Sequence, residues 1–346
     1  MSSAFAVMDP NSSYWQEKLG SVASGLVQSM GVDAVYMDQI SASHCESCFE
    51  GGRGGGGSSW SSGNRAVLAA AAKAGKTAKG GTPIALSSES MNEQYIGQIG
   101  VNLALSVFNP SEMTDGHGNC GEVPAYASIY GGYTINMGDN RFPWDSRAVR
   151  EHEDWIPQQR GMVAQQFVFG HAMGWMALME LDQWFTNASF APDIAFFGTL
   201  ARLRMASTKY LVHGSAYRPV QISPHGATTT IPAIQICDWG DAFSAGTPKC
   251  CNHNVVMASA WATTTGEIAI AVVNHGTETI TVELALQLPV EHASARLVAR
   301  PMVVGDDDEA VAPCGVTVGQ GRVARMVKTL PGRSANVFEF QAHLGA

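Results

Sequence analysis

Two carboxylates stand where chemistry could be done. In GVDAVYMDQI, residues 31–40, an apolar run ends in Asp38, and the Gly-, Ser-, His- and Cys-bearing segment that follows cannot continue a strand. In PIALSSES, residues 83–90, apolar Ile84, Ala85 and Leu86 lead into Ser87, Ser88 and Glu89, with Glu93 expected one helical turn further on. In parallel α/β barrels the functional groups sit where a strand ends and its loop begins. Neighbouring strands would therefore deliver Asp38 and Glu89 to one rim. Two carboxylates facing one cleft are what glycosidic bond cleavage uses, one as nucleophile or base and the other as general acid. Taken singly, each has a plainer reading as a helix cap or a partner for arginine. The pair on adjacent strands favours chemistry.

The elements that must position these groups come in two textures. Up to about Gly214 the apolar pattern predicts helices over 14–30, 64–74, 92–100, 155–164 and 194–211, and strands over 34–37, 83–86, 101–108, 127–135 and 166–175. Strand-then-helix alternation implies a parallel sheet covered by helices. After Gly214 the pattern changes to period-2 strands separated by turn residues. In EIAIAVVNHGTETITVELAL, residues 267–286, His275-Gly276 reads as a hairpin turn, and the last strand is SANVFEF, residues 334–340. The expected architecture is α/β plus all-β: a TIM-type (β/α) barrel portion over residues 1–213, with the catalytic strand ends, then an antiparallel β-sandwich over 214–346.

Composition narrows the partners. The chain has 346 residues, 45% of them hydrophobic and 15% charged, which is the balance of a protein with a well-buried core. Lys and Arg number 21 against 30 Asp and Glu, a net charge of -9, and no basic stripe appears, so nucleic acid is not an expected partner. No apolar run approaches the ~20 residues of a membrane span, and the N-terminus lacks the features of a secretory signal. The seven cysteines are too scattered for a disulfide framework. His44-Cys45-x-x-Cys48 has zinc-like spacing but gathers only three ligands, so a loop disulfide or free thiols is the expectation there, with no metal and no cofactor. Asn187-Ala188-Ser189 is a glycosylation acceptor pattern that matters only in a secreted protein. GGRGGGGSSW lacks the Lys-Ser/Thr ending of a phosphate loop and reads as a substrate-covering loop, in which Trp60 is either a sugar-stacking face or a core anchor. His117, Tyr130, Tyr133, Asp139 and Trp175 fall near later strand ends, where aromatic and polar groups suit a sugar ring. Tyr36, Gln39 and Glu93 complete the expected substrate contacts, Glu93 also competing for the acid/base role.

The runs DPNSSYWQEKLGSVASGLVQSMGVDAVYMDQISA, CFEGGRGGGGSSW, ALSSESMNEQYIG and VPAYASIYGGYTINMG resemble a large bacterial family of glycoside hydrolase type known mainly as a domain of unknown function, the DUF6259 group. Its architecture is similar to that of the endo-α-N-acetylgalactosaminidase clan. The resemblance covers roughly Met8 to Gly214. It implies a retaining glycosidase, with an Asp after the fourth barrel strand as nucleophile and a Glu after the fifth as acid/base, which fall on Asp38 and Glu89. If residues 31–40 hold the fourth strand, only about 30 residues precede it, too few for three βα units. A partial barrel is then expected, with a carbohydrate substrate and either self-association or a complementary barrel segment as partner. The alternative is a non-catalytic carbohydrate-binding or assembly protein derived from such a barrel, and a zinc- or redox-active protein using Cys45 and Cys48 is a third reading.

Overall fold

The computed structural model describes residues 8–42, 59–104, 124–138, 155–174, 188–237, 250–289, 296–302 and 314–343. The chain divides into two compact units, one formed by Met1–Leu105 with Tyr133–Asn136 and the other by Ser106–Gly132 with Met137–Ala346.

The first unit is built on a four-stranded sheet in the order β1 (Ala34–Tyr36), β2 (Ala85–Glu89), β3 (Val101–Ala104) and β4 (Ile135–Gly138). β1 pairs with β2, and β2 with β3, in parallel. One face of β1 and β2 is apolar: Val35, Met37, Ile84 and Leu86 are buried. Against them pack Ala23 and Val27 of helix α1 (Ser13–Met30) and Val67, Leu68 and Ala71 of helix α2 (Trp60–Ala78). α1 ends on Gly31, whose φ of 68° is the left-handed C-cap that glycine adopts without penalty. Gly75 lets α2 close on β2, since a Cβ there would lie 2.2 Å from Ile84 Cδ1. The alternate residues, Tyr36 and Asp38 on β1 and its end, and Ser87 and Glu89 on β2, point away from this apolar face because strand side chains alternate.

The second unit is an antiparallel sandwich carrying helices on one side. β9 (Val256–Ala262), β10 (Ile268–Asn274) and β16 (Ser334–His343) form the middle of one sheet. β12 (Arg296–Pro301) and β13 (Cys314–Gly315) extend it at one edge and β5 (Ser215–Ala216) at the other. The second sheet runs β14 (Thr317–Val318), β15 (Val323–Leu330), β11 (Ile280–Gln287), β6 (Gln221–Pro224). β7 (Ala233–Cys237) and β8 (Cys250–Asn254) pair as a separate two-stranded sheet, and Cys250 and Cys251 each take part in a disulfide. β10 is buried along its whole length. Its large residues Ile268, Ile270 and Val272 fill the core between the sheets with Leu284, Leu286 and Phe338. Its small residues Ala269 and Ala271 face helices α4 (Trp155–Val168) and α5 (Ala191–Ala206), where Phe167, Phe196 and Leu200 are packed.

Five local expectations are corrected. β2 runs on through Ser87, Ser88 and Glu89 instead of stopping at Leu86, because the Ser88 side chain is fully buried and its Oγ accepts the Ser41 N–H at 3.1 Å, so a polar residue does not end the strand. The helix expected over 92–100 is a single 3-10 turn, Glu93–Tyr95, followed by Gly97 at φ 87°. Residues 127–135 are not one strand: Tyr126 and Tyr130 stand one helical turn apart with ring centroids 4.9 Å apart in helix α3 (Ala125–Tyr130), and only β4 is extended. Residues 166–168 continue α4, whose residues 158–168 are buried all round and so show no amphipathic period. His275-Gly276 joins no hairpin, since β10 and β11 belong to different sheets and the segment crosses between them.

Candidate active site

The register of the parallel sheet brings the two carboxylates to one level. Tyr36 lies opposite Ser87, and the Met37 N–H donates to the Ser87 carbonyl at 2.8 Å, carrying the pairing one residue past β1. Two residues beyond that pair stand Asp38 and Glu89, on the same strand face as Tyr36 and Ser87. Glu89 in turn lies opposite Leu103 of β3.

Each carboxylate is held by a side chain from β1 or its turn. The Tyr36 hydroxyl donates to Asp38 Oδ1 at 3.1 Å. The Gln39 amide Nε2 donates to Glu89 Oε2. Gln39 reaches across because its φ is 65°, in the left-handed region a non-glycine residue seldom occupies. The turn that imposes this conformation is strapped to the end of β2. Besides the Ser41 to Ser88 bond, Asn92 Nδ2 donates to the Ser41 carbonyl at 3.4 Å, while Asn92 Oδ1 accepts the Gln94 N–H at 3.0 Å as the cap of the 3-10 turn. Ser90, at φ 63°, turns the chain out of β2 directly after Glu89. The Tyr36 phenol is pushed well above its ordinary pKa, first by partial burial, then by its bond to Asp38 and by the negative charges of Asp38 and Glu89. It therefore stays a proton donor across the working pH range.

The other expected contacts are dispersed. Glu93 is exposed on the 3-10 turn, and because no helix joins it to Glu89 the two do not share a helical face. Trp60 opens α2 half-buried, its indole N–H enclosed and without a partner among the described residues. Tyr133 is 75% exposed in the turn before β4. Tyr130 closes α3, in the second unit, against Tyr126. Asp139, Trp175, His117, His44, Cys45 and Cys48 lie outside the described residues. Among the described residues no group of three or more His, Cys, Asp or Glu could hold a metal ion, and no helix is long and apolar enough to cross a membrane. Ser41, Ser88 and Asn92 escaped the sequence reading. Their signal is a cluster of Ser and Asn at two strand ends, residue types that bond back to nearby backbone.

The parallel α/β sheet followed by antiparallel sheets is the arrangement of a (β/α) barrel with a β domain. Residues 1–142 match the family model described as Domain of unknown function (DUF6259). The chain is similar to "Putative glycoside hydrolase 22789" of Monosiga brevicollis, 28% identical over 246 residues that make up 64% of this chain and 19% of that protein. The chain thus spans about a fifth of the length of this curated relative. Among solved structures it resembles a noncanonic maltogenic alpha-amylase, AmyB, of Thermotoga neapolitana, with TM-score 0.50 and 11% identity over 97% of this chain and 68% of that one. It also resembles the alpha-amylase of Geobacillus thermoleovorans complexed with acarbose, with TM-score 0.51 and 10% identity over 95% of this chain and 64% of that one. At these identities the likeness is one of fold.

Proposed function

We propose that this chain carries the reacting carboxylates of a retaining glycoside hydrolase acting on an O-glycosidic bond, with Asp38 as nucleophile and Glu89 as general acid/base. The observation that carries the reading is the parallel register that aligns the two at one end of β1 and β2, on the face turned away from the helices. Similarity to a protein named as a glycoside hydrolase supports the class. In the first step an Asp38 oxygen attacks the anomeric carbon, the bond to the leaving oxygen breaks, and Glu89 gives that oxygen its proton. In the second, Glu89 takes a proton from water as the water oxygen attacks the same carbon and releases Asp38. Glu93, Trp60 and Tyr133, with Tyr130, Asp139 and Trp175 from later segments, are the proposed sugar contacts. Residues 1–213 are the proposed barrel portion and 214–346 the sandwich.

A panel of aryl and alkyl glycosides tests the reading. Asp38→Asn abolishes turnover, because an amide forms no glycosyl ester. Glu89→Gln lowers kcat by about 10²- to 10⁴-fold on alkyl glycosides and less on activated aryl glycosides, whose leaving groups depart without a proton. Full activity in Asp38→Asn refutes the assignment. The second reading is a carbohydrate-binding or assembly protein derived from such a barrel and without turnover, which sugar binding by folded protein in the absence of hydrolysis would establish.

A further inference from the structure

The contacts that hold Asp38 and Glu89 carry more than the identity of the pair. A phenol and a primary amide at a sugar site are the groups expected to meet hydroxyls of the substrate. Here each has its donor turned onto a carboxylate, Tyr36 onto Asp38 Oδ1 and Gln39 onto Glu89 Oε2. The two bonds differ in origin, one local and one reaching across to the neighbouring strand. Tyr36 and Asp38 are two apart on one strand end and so share a face, whereas Gln39 would point elsewhere in extended backbone and reaches β2 only through its left-handed φ. A non-glycine residue in that region is strained and persists where its surroundings over-determine it. Three bonds do so here: Met37 N–H to Ser87 O, Ser41 N–H to Ser88 Oγ, and Asn92 Nδ2 to Ser41 O. Backbone strain maintained at a strand end beside two carboxylates marks a part whose orientation matters.

We infer that Tyr36 and Gln39 are positioning residues for the reacting pair, Tyr36 fixing Asp38 through Oδ1 so that Oδ2 is the attacking oxygen, and Gln39 fixing the Glu89 carboxyl from the neighbouring strand. Both holders are neutral donors. The Tyr36 hydroxyl orients Asp38 without neutralising it, so Asp38 keeps the charge density a nucleophile needs, which an arginine clamp would withdraw. Tyr36 remains protonated because loss of its proton would set a third negative charge beside Asp38 and Glu89. The inference rests on the reading of Asp38 and Glu89 as the reacting groups, and its test separates the two.

The full chain serves throughout, and two measurements need no turnover. With ring-labelled tyrosine, the Tyr36 signal, assigned by its loss in Tyr36→Phe, passes from phenol to phenolate at a lower pH in Asp38→Asn than in the wild type. The side-chain amide signals of Gln39 shift in Glu89→Ala and stay in place in Glu93→Ala. An unchanged Tyr36 titration in Asp38→Asn, or Gln39 signals indifferent to Glu89→Ala, overturns the inference even if the chain is an active glycosidase. On a nitrophenyl glycoside, Tyr36→Phe and Gln39→Gly lower kcat about tenfold or more with KM within about twofold, the pattern of lost transition-state geometry. Glycine is the chosen deletion at residue 39 because it holds the same φ without strain. A raised KM with kcat retained would make these residues sugar contacts and also overturns the inference. Absence of turnover with both spectroscopic shifts present refutes the glycosidase reading and leaves the positioning geometry standing.

Discussion

Asp38 in the first unit and Asp193 in the second are the same side chain in opposite surroundings. Asp193 lies in the first turn of α5 and is 2% exposed. Its Oδ1 accepts Arg160 Nη1 and Arg333 Nε, each at 2.9 Å, and Arg160 also donates to the His275 carbonyl at 2.9 Å. Burial pulls the Arg160 guanidinium below its ordinary range, and the bond to Asp193 works against that pull. Such a carboxylate is a structural pin: it ties α4, α5, the β10–β11 crossing and the turn before β16 together, and its charge is consumed in doing so. Asp38 is exposed and held by one neutral hydroxyl. The difference separates a carboxylate that builds the fold from one left exposed, as the proposed nucleophile must be. Pairing chemistry, more than the presence of an acid, distinguishes the two.

Charge removal at each position is the largest test of that contrast. Asp193→Asn keeps the shape but leaves two guanidinium groups facing a neutral amide, and breaking a buried ion pair on one side costs about 3–5 kcal/mol. Urea unfolding followed by far-UV dichroism should show this loss for the second unit. Asp38→Asn should stay within about 0.5 kcal/mol of wild type in the same assay, as exposed substitutions do. Comparable destabilisation by both would make Asp38 another pin and break the comparison.

A smaller effect comes from pH, again confined to the second unit. His171, His253 and His275 are buried, and burial lowers their pKa values from 6.5 to about 4, about 4 and about 3, with Arg204 adding to the effect on His171 and the neighbouring His253 ring to that on His275. In each case the folded pKa lies below the unfolded one, so the unfolded chain binds more protons as pH falls. The stability these residues contribute is therefore fully present above about pH 6.5 and is lost from there down to about pH 4, or about pH 3 for His275. Between pH 7 and 5 the loss is up to about 2 kcal/mol for each histidine. Thermal melts at the two pH values check the total, and His253→Gln, which cannot titrate, should flatten the slope. A melting temperature independent of pH over this range would show that these rings are not held neutral.

Much of the scaffold could be read from residue types, and the failures have physical causes. α1 and β1 were legible because their apolar period is clean and Gly31 supplies the stop. The alignment of Asp38 with Glu89 was legible because adjacent parallel strands with short apolar cores leave little freedom of register. Strand partners were not, as His275-Gly276 demonstrates: a period-2 pattern in β10 and β11 specifies extended backbone but not which sheet each joins. α4 was cut short because a helix buried on every side, with Phe167 and Val168 inside, has the composition of a buried strand. Tyr36 and Gln39 could be read as site residues, but not as partners of the carboxylates, for another reason. Gln39 meets Glu89 through a left-handed turn, and that turn depends on Ser41, Ser88 and Asn92, three small polar residues whose roles exist only once two loops are brought side by side.

Asn92 gives the finest test, because it serves the fold and the site through different atoms. Its Oδ1 caps the 3-10 turn at Gln94, and its Nδ2 holds the Ser41 carbonyl in the turn that carries Gln39. Asn92→Ala removes both and should cost about 1 kcal/mol of stability, the usual price of a lost cap. Asn92→Asp keeps an acceptor for Gln94 and loses the donor to Ser41, so its stability should return close to wild type. The turn would remain loosened in both variants, and kcat on a nitrophenyl glycoside should fall by about twofold to tenfold in each, the worth of one hydrogen bond. Stability and rate then part company in Asn92→Asp alone. If that variant recovered both, the link to Ser41 would be idle and the orientation of Gln39 would have to be fixed by Ser88 alone. If it recovered neither, Asn92 would act on the site only through the fold, and the contrast between building residues and reacting residues would blur at the point where the two are one atom apart.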